Sequence, residues 1–222
     1  MKNMSKTAIV IGATGLVGSQ VVAQLIEAKH VSRVVTLTRR ALRQSEQQDS
    51  AKLENHVVNF DRLADSASLF KGDMLFSCLG TTLKQAGSIQ AQRVVDLDYQ
   101  YQAAKLAAQQ GVDHLLLVSS SGADSKSFSP YLKMKGELED KIQALTFSQI
   151  SIFQPSLLLG SRHSSRAAED IASKVLPLIC KLPGLKRYRP IYGAQVAEKM
   201  VAESAQPKSG IHKFRLDEVF PD

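Results

Sequence analysis

Cysteine, tryptophan and long apolar runs are scarce or missing in this sequence. Its 222 residues include no tryptophan and only two cysteines, Cys78 and Cys180. The two cysteines lie far apart without a Cys-x-x-Cys motif, so neither a disulfide framework nor a metal site is predicted. The apolar run before Gly12 is too short for a signal peptide, and no other run approaches membrane-spanning length. We therefore expect a cytoplasmic protein with no bound metal and no membrane partner.

Aromatic residues are also few, which bears on the surplus of positive charge. The net charge of +7 invites a nucleic-acid interpretation, but aromatic residues make up only 6% of the chain and offer little for base stacking. The basic residues are dispersed except in KLPGLKRYRP, residues 181–190, which is either a solvated surface or the contact of an anionic partner. Nucleic-acid binding is therefore disfavoured, and it would require an affinity that falls steeply with salt.

Short apolar, β-branched runs alternate with helical patterns along the whole chain. This alternation is typical of βαβ units and predicts an α/β fold of the Rossmann type, with a doubly wound parallel sheet. No linker divides the chain, so we predict a single domain, residues 1–222, whose C-terminal part from about 157 contributes a small substrate lobe. The predicted strands are Ala8–Ile11, Val34–Thr38, His56–Asn59, Met74–Cys78, Leu115–Ser119, Ser148–Phe153 and His212–Leu216. The predicted helices are 17–28, 90–110, 131–145, 165–180 and 194–204.

The first predicted strand runs directly into a glycine-rich turn with the sequence GATGLVG. Its G-x-x-G-x-x-G spacing is related to the dinucleotide fingerprint, in which glycines allow a tight turn, close approach to pyrophosphate and helix–strand packing. The helix that follows presents free N–H groups and a positive dipole end to phosphates. The residues of this turn that we predict to bind a dinucleotide are Gly12, Thr14, Gly15, Leu16, Val17 and Gly18.

The end of the second predicted strand distinguishes between the two nicotinamide dinucleotides. NAD sites usually place a carboxylate there to hold the ribose 2′-hydroxyl. Here Thr38 is followed by Arg39 and Arg40, whose guanidinium groups match a 2′-phosphate in charge and geometry. We therefore predict that NADP(H) is preferred over NAD(H). Asp61, after the third strand, is a candidate acceptor for the adenine amino group.

Two tyrosine–lysine pairs have the four-residue spacing that stacks side chains on one helix face, Tyr131–Lys135 and Tyr101–Lys105. Ligands of doubly wound sheets bind beyond the carboxyl ends of the strands. Only the later pair follows a strand that ends in serines, residues 119–121. Lys135 also falls within an apolar stripe, where a solvated lysine is unexpected, although a lysine that snorkels to the rim is the alternative. We predict that the later pair belongs to the functional site.

Several motifs resemble those of the short-chain dehydrogenase/reductase superfamily. Besides the glycine turn and Tyr-x-x-x-Lys, four segments resemble its atypical, Tat-interacting-protein-like branch of NADPH-binding oxidoreductases: CLGTT (78–82), SSSGAD (119–124), YLKMKGELE (131–139) and FQPSLLLGSR (153–162). The resemblance covers about residues 5–200. It implies a Rossmann fold, hydride transfer between NADPH and a small carbonyl-type substrate, and a cofactor lined by Leu79, Gly80 and Pro155.

The resemblance also implies catalytic roles for Ser120, Tyr131 and Lys135. Tyr131 would donate a proton to the developing alkoxide, Ser120 would hydrogen-bond the same oxygen, and Lys135 would bind the nicotinamide ribose. A tyrosine hydroxyl ordinarily has a pKa of about 10, and a lysine cation one turn away favours the phenolate. Ser121 is the rival of Ser120 for the role of catalytic serine.

Two departures from the family pattern keep a second function open. CLGTT replaces the usual Asn-Asn-Ala-Gly after the fourth strand, and the following helix lacks the proton-relay asparagine, for which Asp96 or Asp98 could substitute. The alternative is a non-catalytic NADPH-binding sensor or regulatory protein that acts through a protein partner. A protein partner or a homodimer is compatible with either function, and the intact serine, tyrosine and lysine favour the enzyme.

Overall fold

The computed structural model describes residues 5–43, 50–159 and 186–221, and its centre is a sheet of seven strands. All neighbouring strands in this sheet are parallel. The strands are β1 (Lys6–Ile11), β2 (Val31–Thr38), β3 (Leu53–Val57), β4 (Met74–Ser77), β5 (His114–Val118), β6 (Gln149–Gln154) and β9 (Gly210–Arg215), while β7 (Leu158–Leu159) and β8 (Ile191–Tyr192) form a separate parallel pair. The spatial order β3-β2-β1-β4-β5-β6-β9 confirms the predicted doubly wound Rossmann sheet.

Each central strand is buried on both faces, because its alternate residues enter two different hydrophobic cores. In β1, Ile9 and Ile11 point into one core, whereas Ala8 and Val10 point into the other. All four side chains are fully buried. A strand covered on both faces has a continuous apolar sequence, which is why the run AIVI was recognisable as a central parallel strand.

The helices are α1 (Gly18–Glu27), α2 (Leu83–Ala86), α3 (Ile89–Arg93), α4 (Tyr99–Gln109), α5 (Pro130–Gln143) and α6 (Gly193–Ser204). Helices α4 and α5 contribute to one core and α1 and α6 to the other, so the sheet is covered on both faces. Helix α5 begins at Pro130, a residue favoured in the first turn because its missing N–H needs no partner there. The Ser129 side chain caps this end by accepting a hydrogen bond from the Leu132 N–H.

The predicted helix 90–110 is in fact three consecutive segments. After α3, one π-helical turn (Val94–Asp98) precedes α4. A π turn accommodates an extra residue within a helix and is frequent at functional sites. Hydrophobic periodicity over twenty residues predicts the helix but not this local insertion, because tertiary contacts of single side chains decide it.

Several other boundaries differ from the predictions. Strand β3 begins three residues earlier than predicted and ends at Val57, so Val58 and Asn59 leave the sheet. The segment Phe60–Phe70 forms 3₁₀-helical turns that were not predicted, and Asn59 caps them by accepting a hydrogen bond from the Asp61 N–H. The predicted helix 165–180 lies outside the described residues.

The C-terminal part of the chain returns to the main fold. Strand β9 pairs with β6 at the edge of the sheet, and α6 packs beside α1. The substrate lobe predicted from about residue 157 stays a prediction, and residues 160–185 of it lie outside the described residues. Across 5–43, 50–159 and 186–221, we find no helix with the length and apolar character needed to cross a membrane.

Candidate active site

The glycine turn, residues 12–18, lies where the strand order reverses between β1 and β4. Gly12 has a φ of +80°, and a Cβ at this position would lie 2.5 Å from the backbone carbonyl of Cys78. A Cβ at Gly18 would lie 2.1 Å from the Gly12 carbonyl oxygen, which instead accepts a hydrogen bond of 2.9 Å from the Gly15 N–H. Only glycine fits at positions 12 and 18, and the turn opens into the crevice where doubly wound sheets bind ligands.

A cleft of about 1140 Å³ extends from this turn along the carboxyl ends of the strands. Its lining includes eight of the residues predicted to bind the cofactor: Gly12, Thr14, Gly15, Leu16, Arg39, Arg40, Leu79 and Gly80. Of the other predicted site residues, all within the described part of the chain, the lining leaves out Val17, Gly18, Asp61, Ser120, Tyr131, Lys135 and Pro155. The cleft therefore joins the glycine turn to the arginines after β2, and a glycine cradle with two cationic side chains fits a phosphate-bearing dinucleotide.

The arginine end of the cleft is organised by Thr38, the last residue of β2. The Thr38 hydroxyl donates a hydrogen bond of 2.7 Å to the carbonyl oxygen of Arg40, which curls the chain directly after the strand. The Arg40 guanidinium donates to the Ala41 carbonyl oxygen at 2.9 Å. Arg39 and Arg40 are both exposed, so their charges face solvent at the mouth of the cleft.

Asp61 is engaged by a side chain that the sequence did not suggest. The Tyr99 hydroxyl, at the start of α4, donates a short hydrogen bond to the Asp61 carboxylate. This bond, together with burial, raises the pKa of Tyr99, and the nearby Arg39 charge opposes the rise. The Tyr99 ring packs on Phe60, which lines the cleft, with ring centroids 5.4 Å apart. Asp61 thus belongs to a cluster with Tyr99 and Arg39, and its contact with adenine stays a prediction.

Lys135 forms a buried ion pair with Asp96, the residue at the centre of the π turn. The Lys135 Nζ lies 3.2 Å from Asp96 Oδ1, and only 3% and 1% of the two side chains are exposed. Asp96 Oδ2 accepts a hydrogen bond from the Thr81 N–H. Oδ1 has the lysine charge beside it but accepts no hydrogen bond from any described residue. The sequence left Asp96 and Asp98 as alternatives; the structure brings Asp96 to Lys135 and leaves Asp98 exposed.

The serine loop after β5 packs against the helix that carries Tyr131 and Lys135. The Asp124 N–H donates to the Leu132 carbonyl oxygen at 3.2 Å. A Cβ on Gly136 would lie 2.1 Å from the Ser125 nitrogen, so the loop backbone touches the helix directly after Lys135. Ser120, Ser121 and Tyr131 are partly exposed beside this contact, and the choice between the two serines stays open.

The earlier tyrosine–lysine pair has different surroundings. The Lys141 ammonium of α5 lies over the Tyr101 ring, 4.9 Å from its centroid, and Lys105 is exposed. Tyr101 therefore helps α4 pack on α5. That Tyr101 and Lys105 are not catalytic stays a prediction.

A buried polar network behind the serine loop was not predicted. The Glu139 carboxylate accepts hydrogen bonds from the Ser119 hydroxyl at 2.5 Å, from Gln154 Nε2 at 2.8 Å and from Lys213 Nζ at 3.2 Å. We call Ser119, Glu139, Gln154 and Lys213 the Glu139 network. Glu139 lies one helical turn after Lys135, and the presence of an acid inside an apolar helix face was the available signal.

Cys78 and His114 do not have the environment of reactive groups. Burial raises the pKa of the Cys78 thiol to about 12, although the Lys135 charge opposes the rise. Burial lowers the pKa of His114 to about 3, and its ring hydrogen-bonds the Ser151 hydroxyl at 2.9 Å. The Cys78 thiol is therefore a packing group beside the glycine turn, and His114 is a neutral core residue.

Sequence comparison identifies the family of this chain. A family model described as NAD(P)H-binding matches residues 12–165. This chain belongs to the NAD(P)H-binding family. It is 37% identical to the protein HTATIP2 of Rattus norvegicus over 174 residues, which cover 78% of this chain and 71% of the rat protein. It is 35% identical to the mitochondrial protein FMP52 of Meyerozyma guilliermondii over 202 residues, 90% of this chain and 86% of that protein. The resemblance to the Tat-interacting-protein-like branch is confirmed.

Solved structures agree with the fold of this NAD(P)H-binding protein. MoeE5 in complex with UDP-glucuronic acid and NAD superposes with a TM-score of 0.69 at 16% identity, covering 95% of this chain and 76% of MoeE5. A UDP-galactose 4-epimerase gives a TM-score of 0.67 at 17% identity, covering 94% of this chain and 76% of the epimerase. At these identities the likeness concerns the Rossmann architecture.

Proposed function

We propose that this protein is an NADP-dependent oxidoreductase of the short-chain dehydrogenase/reductase type that reduces a small carbonyl-type substrate. The buried Lys135, held by Asp96 one turn after Tyr131, is the observation that carries the proposal. A lysine is almost never fully buried without a function or a partner. Here Tyr131 lies one turn earlier on the same helix, and the serine loop packs against that helix. Bound NADPH would supply the hydride.

The chain's own residues have distinct tasks in this proposal. Tyr131, which is partly exposed on α5, donates the proton to the substrate oxygen as negative charge develops there. The Ser120 hydroxyl donates a hydrogen bond to the same oxygen. Lys135, with Asp96 Oδ1 3.2 Å from its ammonium, would orient the nicotinamide ribose. Pro155, next to the buried Gln154, would contact the nicotinamide of bound NADPH.

The proposed preference for NADP(H) is supported by Arg39 and Arg40. Both side chains line the cleft at the end of β2, where no carboxylate adjoins Thr38. A guanidinium can bind a 2′-phosphate with two charge-assisted hydrogen bonds, whereas NAD lacks this group. The glycine turn would bind the pyrophosphate of either dinucleotide.

A screen of small aldehydes, ketones and quinones tests the reaction. Turnover is measured as the oxidation of NADPH. Tyr131→Phe keeps the ring but removes the proton donor, so turnover should fall about 10²- to 10⁴-fold while NADPH binding survives. Tyr101→Phe is the matched control and should stay within a few-fold of wild type. Equal rates for Tyr131→Phe and wild type would rule out the proposed role of Tyr131.

The sensor function is the competing outcome of the same screen. Tight NADPH binding without reduction of any acceptor would support a regulatory protein, and the names HTATIP2 and FMP52 state no reaction. The cytoplasmic location is likewise a proposal, because the FMP52 relatives are named mitochondrial. Imaging of the tagged full-length chain with organelle markers tests it.

A further inference from the structure

We infer that Glu139 is a positioning residue for the candidate active site, acting through Ser119 and Gln154. This inference rests on the proposed function, since it concerns the same site. Glu139 itself is 3% exposed and lies behind the residues proposed to touch substrate and cofactor.

Two of the three partners of the Glu139 carboxylate, Ser119 and Gln154, are next to proposed site residues. Ser119, which donates at 2.5 Å, directly precedes Ser120 in the chain. Gln154, which donates at 2.8 Å and 3.1 Å to the two carboxylate oxygens, directly precedes Pro155. Glu139 is four residues after Lys135, one turn further along α5. One carboxylate therefore ties together the three elements that carry Ser120, Lys135 and Pro155.

The backbone reinforces this arrangement around the carboxylate. The Ser119 N–H donates to the Phe153 carbonyl oxygen at 2.7 Å, and the Ser121 N–H donates to the Pro155 carbonyl oxygen at 3.0 Å. These bonds fix the ends of β5 and β6 relative to each other. Glu139 attaches these two strand ends to α5. Among the described residues, it is the only one whose side chain accepts a hydrogen bond from the Ser119 hydroxyl.

The charge of Glu139 is balanced from outside the site. Lys213 on the edge strand β9 reaches the second carboxylate oxygen at 3.2 Å, and its side chain is 29% exposed. Both carboxylate oxygens thus accept hydrogen bonds, and the cation that balances their charge is partly in solvent. A buried network with all members satisfied fixes a unique arrangement of the elements that it joins. A displacement of about 1 Å in such a site can cost about 100-fold in rate.

Glu139→Gln tests the inference, with Glu137→Gln as the matched control. The amide keeps the size of the side chain but turns one acceptor into a donor, which then faces the donors Gln154 and Lys213. Glu137 lies on the same helix, partly exposed, and pairs with Arg93 instead. At a temperature where circular dichroism shows every variant folded, Glu139→Gln should weaken NADPH binding at least about threefold and lower kcat about tenfold or more. Glu137→Gln should match wild type in both.

Ser119→Ala is the second variant and keeps the inference testable if Glu139→Gln does not fold. It removes one donor and leaves Gln154 and Lys213 on the carboxylate, so a smaller change in the same direction is expected. If Glu139→Gln and Ser119→Ala lower only the melting temperature and match Glu137→Gln in NADPH Kd and kcat, Glu139 is a structural residue and the inference is wrong. If wild type binds NADPH but reduces no acceptor, the proposed reaction fails, and the Kd comparison alone still decides the role of Glu139.

Discussion

The glycine turn and the surroundings of Lys135 adjoin the same crevice, but one is formed by backbone groups and the other by side chains. The glycine turn is made of backbone: Gly12 and Gly18 matter because they have no Cβ. The site around Lys135 is made of side chains from separate elements, with Asp96 on the π turn and Glu139 on α5. The two regions meet at Cys78. Its backbone carbonyl lies against Gly12, and the Lys135 charge opposes the rise that burial causes in the pKa of its thiol. Substitutions in the glycine turn should therefore act through steric clash, whereas substitutions around Lys135 should act through an unbalanced buried charge.

We expect the largest effect when one partner of the Lys135–Asp96 pair is substituted. Asp96→Asn leaves a buried ammonium without its counter-charge, so we expect a loss of about 3–5 kcal/mol in the free energy of unfolding. Asp98→Asn makes the same chemical change at an exposed position of the same π turn and should cost less than about 0.5 kcal/mol. Urea unfolding measures both values. In the double variant Asp96→Asn/Lys135→Met the loss should be smaller than the sum of the single losses. Additive losses would show that the two side chains do not interact.

Cys78, at the junction of the two regions, should be nearly inert towards alkylation. Burial raises the pKa of its thiol from an ordinary value of 9.0 to about 12. Since the thiolate is the reactive form, native Cys78 in a Cys180→Ser background should react about a thousandfold more slowly at pH 8 than in urea. Its rate should still rise between pH 10 and pH 11, where the rate of the unfolded chain has nearly levelled off. A native rate equal to the unfolded rate would mean that the thiol is accessible.

The glycine turn should fail through sterics alone. Gly12→Ala places a methyl group 2.5 Å from the Cys78 carbonyl at a φ of +80°, so we expect NADPH binding to weaken about 100-fold or more. Gly87→Ala is the matched control, because Gly87 has a φ of +83° but nothing within 4 Å of a Cβ. Titration calorimetry measures both affinities. Similar losses in the two variants would assign the effect to backbone strain instead of the clash.

Reversing the charge at the arginine end of the cleft should reduce the preference for NADPH over NADH. Arg39→Asp removes a guanidinium and adds a carboxylate that would repel a 2′-phosphate, so the NADPH-to-NADH ratio of affinities should fall about tenfold or more. Arg62→Asp, at an exposed position away from the cleft lining, is the control and should leave the ratio unchanged. Equal wild-type affinities for NADPH and NADH would refute the proposed preference.

The sequence predicted those features that depend on contiguous residues. The run AIVI before Gly12 and the glycine spacing indicated a buried parallel strand followed by a tight glycine turn, and both are present. Phosphate binding by the turn stays a prediction. The apolar stripe of α5 indicated that Lys135 faces inwards, and its side chain is 3% exposed. A continuous apolar run indicates a strand buried on both faces, and helical periodicity indicates the buried face of α5, so local sequence is sufficient in these cases.

Contacts between residues distant in sequence could not be predicted in this way. The choice of Asp96 over Asp98 depends on a π turn that rotates one carboxylate towards Lys135, about forty residues further along the chain. Tyr99 reaches Asp61, and Glu139 collects donors from β5, β6 and β9, only because the sheet order brings those elements together. By itself the sequence determined the Rossmann fold, the glycine turn and the helix of Tyr131 and Lys135, since each follows from backbone sterics or amphipathic periodicity. The tertiary structure decided which carboxylates meet Lys135 and Ser119, because ion pairs and buried hydrogen bonds depend on distances that no local pattern encodes.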